Sequence, residues 1–234
     1  MRIAGIQKTS FVDYPGNIAA VVFTAGCNLN CYFCHNRHII DSEGIDTAYD
    51  VDSVMRLLDA RRPFLDGVVI SGGEPTLQPD LEEFIAKIKK LGYLVKLDTN
   101  GTQPFVLKKL LDRNLVNYIA MDIKAPFGKY NEICNAEVDI TSIQQSIELI
   151  MNAGCDYEFR TTFVPDLNKG DILEIARTIR GARLYVLQQF RIPQKRNGMD
   201  DIRLYCPPHP PHVFAEAISE IAPLVGSCLT RGVK

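Results

Sequence analysis

Strand-like and helix-like segments alternate along this chain of 234 residues, and that alternation limits the folds it can adopt. Six short runs rich in β-branched residues predict strands at residues 18–24, 67–71, 94–98, 118–123, 157–163 and 184–190. Five segments between them carry apolar residues at helical intervals, at residues 51–59, 81–91, 106–114, 142–153 and 171–180. Strands that alternate with helices are typical of a parallel sheet with right-handed crossovers. The sequence therefore predicts an α/β fold, either an open doubly wound sheet or a partial barrel.

The composition is typical of one folded domain. Hydrophobic residues make up 46% of the chain and the net charge is −2, which argues against disorder and against a broad nucleic-acid-binding surface. The longest apolar run, at residues 18–23, is too short to span a bilayer. Residues 1–15 lack the apolar stretch of a signal peptide, so we expect a cytoplasmic protein without membrane or nucleic-acid partners.

The last part of the chain differs from the alternating core. Two proline pairs, Pro207-Pro208 and Pro210-Pro211, interrupt regular structure, and residues 213–224 then predict one helix. We expect a single domain over residues 1–234, with a core at about 15–192 and a C-terminal cap at 193–234.

Polar residues follow four of the six predicted strands. The first strand leads into a group of cysteines, and the next three lead into Gly72-Gly73-Glu74-Pro75, Thr99-Asn100-Gly101 and Lys124. In both candidate folds, functional groups gather at the carboxyl ends of the strands. We therefore expect these residues to form one site.

Three of the seven cysteines, Cys27, Cys31 and Cys34, have the spacing C-x3-C-x2-C. An odd number of cysteines without an export signal makes a disulfide framework unexpected. Three thiolates in one loop can hold an iron–sulfur cluster or zinc, and His35 or His38 could complete a zinc site. Buried, unligated thiols are a further alternative. Structural zinc usually has two separated ligand pairs, so the spacing favours a cluster with one iron left open.

The cysteine loop together with Ser71-Gly72-Gly73-Glu74-Pro75 resembles the radical S-adenosylmethionine (SAM) superfamily. The resemblance implies a partial (β/α)6 TIM-type barrel of parallel strands with a C-terminal capping helix. It also implies one [4Fe–4S] cluster whose open iron binds SAM, and reductive cleavage of SAM to methionine and a 5′-deoxyadenosyl radical. The other cysteines, Cys134, Cys155, Cys206 and Cys228, show no cluster spacing, and we expect them to be ordinary small apolar residues.

The same resemblance implies a role for each matching residue. The cluster ligands would be Cys27, Cys31 and Cys34. The adenine of SAM would pack near Phe33, and its amino group would meet Gly73 and Glu74. The carboxylate of SAM would meet Lys124 and Arg160. A monovalent-cation site beside SAM is implied at Asp98, Thr99 and Asp122. No catalytic residue beyond these is expected.

Local chemistry leaves some of these assignments open. Asp122 and Lys124 lie on one face of a strand, where a buried carboxylate and a buried cation are costly unless they are paired. Asp98 could equally be a turn-forming residue, and Arg160 could pair with Glu158. Gln188 and Gln189, at the end of the sixth predicted strand, could contact the nucleoside of a cofactor.

Further motifs resemble the glycyl-radical-enzyme activases: Val12-Asp13-Tyr14-Pro15-Gly16, Cys34-His35-Asn36-Arg37, Leu97-Asp98-Thr99-Asn100-Gly101 and Asp122-Ile123-Lys124. Within that group, residues 121–126, 159–165 and 188–190 are similar to the activating proteins of anaerobic ribonucleoside-triphosphate reductases. The resemblance implies an oxidoreductase that removes a Cα hydrogen from a glycine of its partner, with reduced flavodoxin or ferredoxin as electron donor.

Three other functions fit parts of the sequence. A radical SAM enzyme with a small-molecule substrate, similar to 7-carboxy-7-deazaguanine synthase, would keep the cysteine loop, but the run Cys34-His35-Asn36 disfavours it. A zinc-bound module without catalysis would keep only the thiols. A cluster protein that merely transfers electrons would need neither Glu74 nor Lys124.

Overall fold

The computed structural model describes residues 1–40, 49–194 and 199–233, and within them eight strands form one sheet in chain order. The strands are β1 (Ile3–Ser10), β2 (Ala19–Thr24), β3 (Gly67–Gly72), β4 (Leu94–Thr99), β5 (Tyr118–Asp122), β6 (Asp156–Phe163), β7 (Tyr185–Gln189) and β8 (Cys228–Arg231). β1 pairs antiparallel with β2, and each later neighbour pairs in parallel. The predicted α/β fold is confirmed, and the six predicted strands are β2 to β7.

The helices are α1 (Val51–Ala60), α2 (Leu81–Lys90), α3 (Pro104–Asp112), α4 (Tyr130–Cys134), α5 (Ile140–Met151), α6 (Lys169–Thr178) and α7 (Pro211–Ile221). Five of them match the internal helices predicted from periodicity. α3, α5 and α6 begin and end earlier than predicted. Their starts are fixed by Pro104 in the first turn of α3 and by the N-caps Asp139 and Asn168 of α5 and α6. Within the described residues, none of the helices has the length and apolarity needed to cross a membrane.

Three elements were not predicted: β1, α4 and β8. β1 is a half-exposed edge strand that carries Gln7 and Lys8, so its apolar pattern is weak. The C-terminal segment also differs from a simple cap. After α7, the chain returns to the sheet, where β8 pairs with β7.

The strands separate two apolar layers. Alternate side chains face the helices, and this layer forms the large core of the protein. The opposite side chains face the inside of the curved sheet, which we call the lumen. At the amino ends of the strands the lumen is filled by small and aromatic residues: Tyr14, Ala19, Val21, Val69, Tyr118 and Ala120. At the carboxyl ends the lumen opens into a cavity, and polar residues replace the apolar ones.

Candidate functional site

A cavity of about 410 Å³ lies at the carboxyl ends of the strands. It is lined by every residue to which the family resemblance assigns a cluster-binding or cofactor-binding role: Cys27, Cys31, Phe33, Cys34, Gly73, Glu74, Asp98, Thr99, Asp122, Lys124 and Arg160. Gln188 also lines it. The volume lies in the range of small-molecule sites, which is about 300–1,000 Å³. The structure thus brings the predicted residues together, while their individual roles stay predictions.

The cysteine loop follows β2 and is held by backbone hydrogen bonds at both ends. The Gly26 N–H donates to the Ile39 carbonyl at 2.8 Å, and the Cys34 N–H donates to the Cys31 carbonyl at 3.1 Å. In the middle, the Asn30 N–H donates to the carbonyl of Cys134, the last residue of α4, at 2.9 Å. The three thiols therefore lie on a fixed wall of the cavity.

The Gly72-Gly73 pair allows the end of β3 to lie directly on the cysteine loop. A Cβ atom on Gly73 would come within 2.0 Å of the Gly26 carbonyl oxygen, and Gly72 has a φ of +122°. The Gly73 N–H donates to the Thr24 carbonyl at 2.9 Å, and the next N–H, of Glu74, donates to Gly26 at 2.8 Å. A side chain at Gly73 would push the loop, and with it the thiols, out of place.

Glu74 is 1% exposed, and its carboxylate joins the loops that follow β3 and β4. Oε1 accepts from the Thr99 hydroxyl at 2.8 Å and from the backbone N–H and hydroxyl of Thr76. Oε2 accepts from the Asn100 N–H at 2.7 Å. Burial raises the pKa of Glu74, although these hydrogen bonds oppose the change. In this structure the carboxylate fixes loop geometry, and its predicted contact with the SAM amino group is untested.

The thiols have different surroundings. Burial raises the pKa of Cys27 to about 12. Cys31 and Cys134 share a hydrogen bond, which lowers the pKa of Cys31, as does the nearby charge of Lys124. The Lys124 ammonium also lies 6.0 Å from the centre of the buried Phe33 ring. No three His, Cys, Asp or Glu side chains in the described part of the chain converge as ligands of a single metal ion.

Asp98 lies on β4 and lines the cavity, so it is not a turn-forming residue, and its role at a cation site stays a prediction. Its Oδ1 accepts from the Lys96 ammonium. Its Oδ2 accepts from the Ser71 hydroxyl at 3.2 Å and lies 3.5 Å from Nη1 of Arg160. Burial alone would raise the pKa of Asp98, but the charges of Arg160 and Lys96 lower it.

Asp122 is paired on both oxygens as well. Nε of Arg160 donates to Oδ1 at 2.8 Å, and the Lys124 ammonium donates to Oδ2 at 3.1 Å. These two charges outweigh the effect of burial and hold the pKa of Asp122 well below its usual range. Asp122 is therefore paired with Lys124, and Arg160 links Asp122 to Asp98.

Arg160 lies closer to Asp122 than to Glu158, the partner considered for it from the sequence. The Arg160 Nη1 atom is 3.9 Å from the Glu158 carboxylate. Glu158 is fully buried and instead receives Arg231 of β8, which donates to both carboxylate oxygens at 2.7 and 2.6 Å. The Tyr118 hydroxyl donates to it as well, at 3.0 Å. The C-terminal strand thus contributes to the charged part of the lumen.

Sequence reasoning missed Lys96, Arg231 and the contact of Cys134 with Cys31, although Cys134 is buried in the large core as expected of a small apolar residue. Lys96 could have been found, because it lies two residues before Asp98 on one strand and so shares its face. Cys134 and Arg231 have no such local signal, since each meets its partner only through the fold. Of the remaining cysteines, Cys155 and Cys228 are partly buried, and Cys206 is exposed, unlike a core residue.

Comparison with known protein sequences gives three results. A family model described as the radical SAM superfamily matches residues 21–179. A Methanocaldococcus jannaschii protein whose name gives it as a candidate glycyl-radical enzyme activating enzyme is 38% identical over 195 residues, which cover 80% of this chain and 79% of that protein. The pyruvate formate-lyase-activating enzyme of Staphylococcus aureus is 35% identical over 105 residues, 43% of this chain and 41% of that enzyme.

One solved structure shows the same fold over most of the chain. It is coproporphyrinogen III oxidase from Escherichia coli, a radical SAM enzyme, with a TM-score of 0.65 and 15% identity. The superposition covers 91% of this chain and 54% of that one, so this chain spans about half of the larger protein.

Proposed function

Because this chain belongs to the radical SAM superfamily, and within it to the glycyl-radical enzyme activating enzymes, we propose that it generates the glycyl radical of an anaerobic ribonucleoside-triphosphate reductase. The reaction removes one Cα hydrogen from a glycine of the partner. The activating function is supported by the 38% identity to a protein named for that function, over 80% of this chain. The reductase is favoured by the similarity of residues 121–126, 159–165 and 188–190, which include the cavity residues Lys124, Arg160 and Gln188.

Membership of the superfamily implies a [4Fe–4S] cluster and SAM, and the donor set fits both. Cys27, Cys31 and Cys34 line one cavity, whereas Cys134 lies outside its wall. Three thiolates would hold a four-iron cluster and leave one iron for SAM. When bound and reduced, the cluster supplies the electron that cleaves SAM into methionine and the 5′-deoxyadenosyl radical.

The chain itself binds and orients the cofactor. Among the described residues, Lys124 and Arg160 are the Lys and Arg side chains that line the cavity, and we assign them to the carboxylate of SAM. Phe33 offers a buried ring for the adenine. Gly73 lies where backbone groups can meet the amino group of SAM, and Glu74 keeps that segment in place through Thr99 and Asn100.

The lumen also limits access of water to the radical. At the amino ends of the strands, Tyr14 packs edge-on against Tyr118, with ring centres 5.9 Å apart, and closes the interior. The cavity therefore opens at the carboxyl ends, where the glycine-bearing loop of the partner would approach. A site closed on one side protects a reactive intermediate from side reactions.

The first experiment tests SAM cleavage. The protein is reconstituted anaerobically with iron and sulfide, reduced with dithionite and given SAM, and 5′-deoxyadenosine is measured by chromatography. We expect Cys31→Ala to abolish both the cluster absorbance and the product. Cys134→Ala is the matched control, because it removes a buried thiol beside Cys31 that lies outside the cavity, and we expect it to keep the cluster. A wild-type protein that assembles the cluster but never cleaves SAM would contradict the proposal.

The second experiment tests the partner and the electron donor. The activated protein is mixed with an anaerobic ribonucleotide reductase, and the glycyl radical is measured by electron paramagnetic resonance. We expect a signal that disappears when the reductase carries alanine at its radical glycine, and we propose that reduced flavodoxin or ferredoxin can replace dithionite. A signal on pyruvate formate-lyase but none on the reductase would show that the partner is a different glycyl-radical enzyme.

A further inference from the structure

The two lumen carboxylates beside the cavity are already neutralised by the chain. Each oxygen of Asp98 and Asp122 has a cationic partner, supplied by Lys96, Lys124 and Arg160. The guanidinium group of Arg160 bridges the two carboxylates. The other oxygen of Asp98 pairs with Lys96, and the other oxygen of Asp122 pairs with Lys124. A metal cation at this place would therefore compete with side chains that are bound there.

Lys96 is the unusual member of this group, because its side chain is only 2% exposed. It lies two residues before Asp98 on β4, nearer to the closed end of the lumen. Its ammonium is 5.9 Å from the centre of the Tyr118 ring. A buried ammonium is stable only with a counter-charge. Its ion-pair partner is Asp98, so each group needs the other.

Thr99, the third residue implied for a monovalent-cation site, is turned to a different group. Its hydroxyl donates to Glu74 at 2.8 Å and accepts from the Gly101 N–H at 3.1 Å. Asp98, Thr99 and Asp122 therefore do not converge on a common point as arranged here. A bound metal cation would have to displace Lys96 or Arg160 and leave that side chain buried without its partner, which is unfavourable.

We infer that Lys96 supplies, from within the chain, the positive charge that neutralises Asp98 beside the cofactor, so that this protein binds SAM without a monovalent metal cation. Lys96 is thus a positioning residue, which acts on the cofactor through Asp98 and Arg160. The part of the inference that concerns SAM rests on the proposed function. The neutralisation of Asp98 does not, because it can be measured on the protein alone.

The first test measures thermal unfolding of the reconstituted full chain in potassium, sodium or tetramethylammonium chloride at one ionic strength. We expect equal melting temperatures for the wild type in all three salts. Lys96→Met should melt roughly 10 °C lower in tetramethylammonium, because it leaves Asp98 buried and under-neutralised. Potassium or sodium should recover part of that loss, whereas the double variant Lys96→Met, Asp98→Asn should show no such recovery. Lys108→Met, from the exposed pair with Asp112, is the control for general salt effects.

The inference is overturned if the wild type melts at a higher temperature in potassium or sodium than in tetramethylammonium and Asp98→Asn does not, or if Lys96→Met in tetramethylammonium is as stable as the wild type. If Lys96→Met fails to fold, the inference is decided by whether the melting temperature of the wild type is the same in all three salts.

The second test repeats the 5′-deoxyadenosine assay in the three salts. We expect the wild-type rate to be the same in each and the Lys96→Met rate to depend on potassium or sodium. A wild type that cleaves SAM only with a metal cation would overturn the inference and leave the proposed function intact. A wild type that cleaves no SAM in any salt would overturn the proposed function, and the melting experiment would still decide the charge assignment.

Discussion

The two faces of β5 and β6 differ in what they do. On the helix side, Ile119, Met121 and Phe159 are completely buried in the large core. On the lumen side, the neighbouring residues Asp122 and Arg160 are charged and line the cavity. One strand therefore supplies both a stabilising face and a functional face, with successive residues assigned to each.

The lumen side is itself divided along the strands. Toward their amino ends it is packed with residues such as Val21, Val69 and Ala120, and toward their carboxyl ends it carries the ion pairs. The apolar half closes the interior and removes water from one side of the charges. Several charges can nevertheless be nearly buried at the carboxyl ends, because each of them is paired with an opposite charge of the same chain.

The largest effect is expected on the helix side. Phe159→Ala should lower the free energy of unfolding by about 3–5 kcal/mol, because it leaves a cavity under a fully buried ring. Urea unfolding measures this change. Phe64→Ala is the control, since that ring is 67% exposed, and it should change stability by less than about 0.5 kcal/mol. Equal losses in the two variants would break the distinction between core and surface aromatic residues.

A smaller effect is expected at the apolar end of the lumen. A Cβ atom on Gly67 would lie 2.9 Å from the Leu94 carbonyl oxygen and 2.9 Å from the Tyr14 ring. Gly67→Ala should therefore cost about 1–3 kcal/mol of stability through overpacking. Gly128→Ala, which meets nothing within 4 Å, should be close to neutral. An unchanged stability of Gly67→Ala in the same urea assay would show that Tyr14 does not pack tightly in the lumen.

The third effect depends on pH and concerns the charged end of the lumen. The pKa of Asp122 in the folded protein is lowered from its ordinary value of 3.8. The ionised carboxylate therefore stabilises the fold at pH values above 3.8, and this contribution is lost as the pH falls below that value toward the lower pKa of the folded state. The unfolding free energies of the wild type and of Asp122→Asn should therefore converge between pH 5 and about pH 2. Asp112→Asn, on the exposed surface of α3, is the matched control. Parallel curves for the wild type and Asp122→Asn would contradict the pairing with Arg160 and Lys124.

Much of the fold is readable from the sequence because its causes are local. Apolar periodicity locates β2 to β7 and five of the helices, and errors at the helix ends come from caps such as Asn168, which periodicity does not register. β1 and β8 were missed because short or half-exposed edge strands acquire their identity by pairing with a neighbour.

The sequence by itself also determined the candidate site. The spacing of Cys27, Cys31 and Cys34 and the Gly72-Gly73 pair are local patterns, and the strand ends on which they lie meet in any parallel sheet. The predicted cluster and cofactor residues all line the cavity, but Phe33 and Arg160 were assigned through the family resemblance, and wall residues such as Leu29, Ile40 and Thr162 were not predicted.

Only the tertiary structure decided how the charges and hydrogen bonds of that site are distributed. Arg231 reaches Glu158 from 73 residues away, and Glu74 holds Asn100 from 26 residues away. Lys96 is local to Asp98, yet whether its ammonium points to that carboxylate depends on the ring of Tyr118 and the closed end of the lumen. Pairing inside a buried space depends on which groups the fold brings within a few ångströms, and sequence spacing does not carry that information.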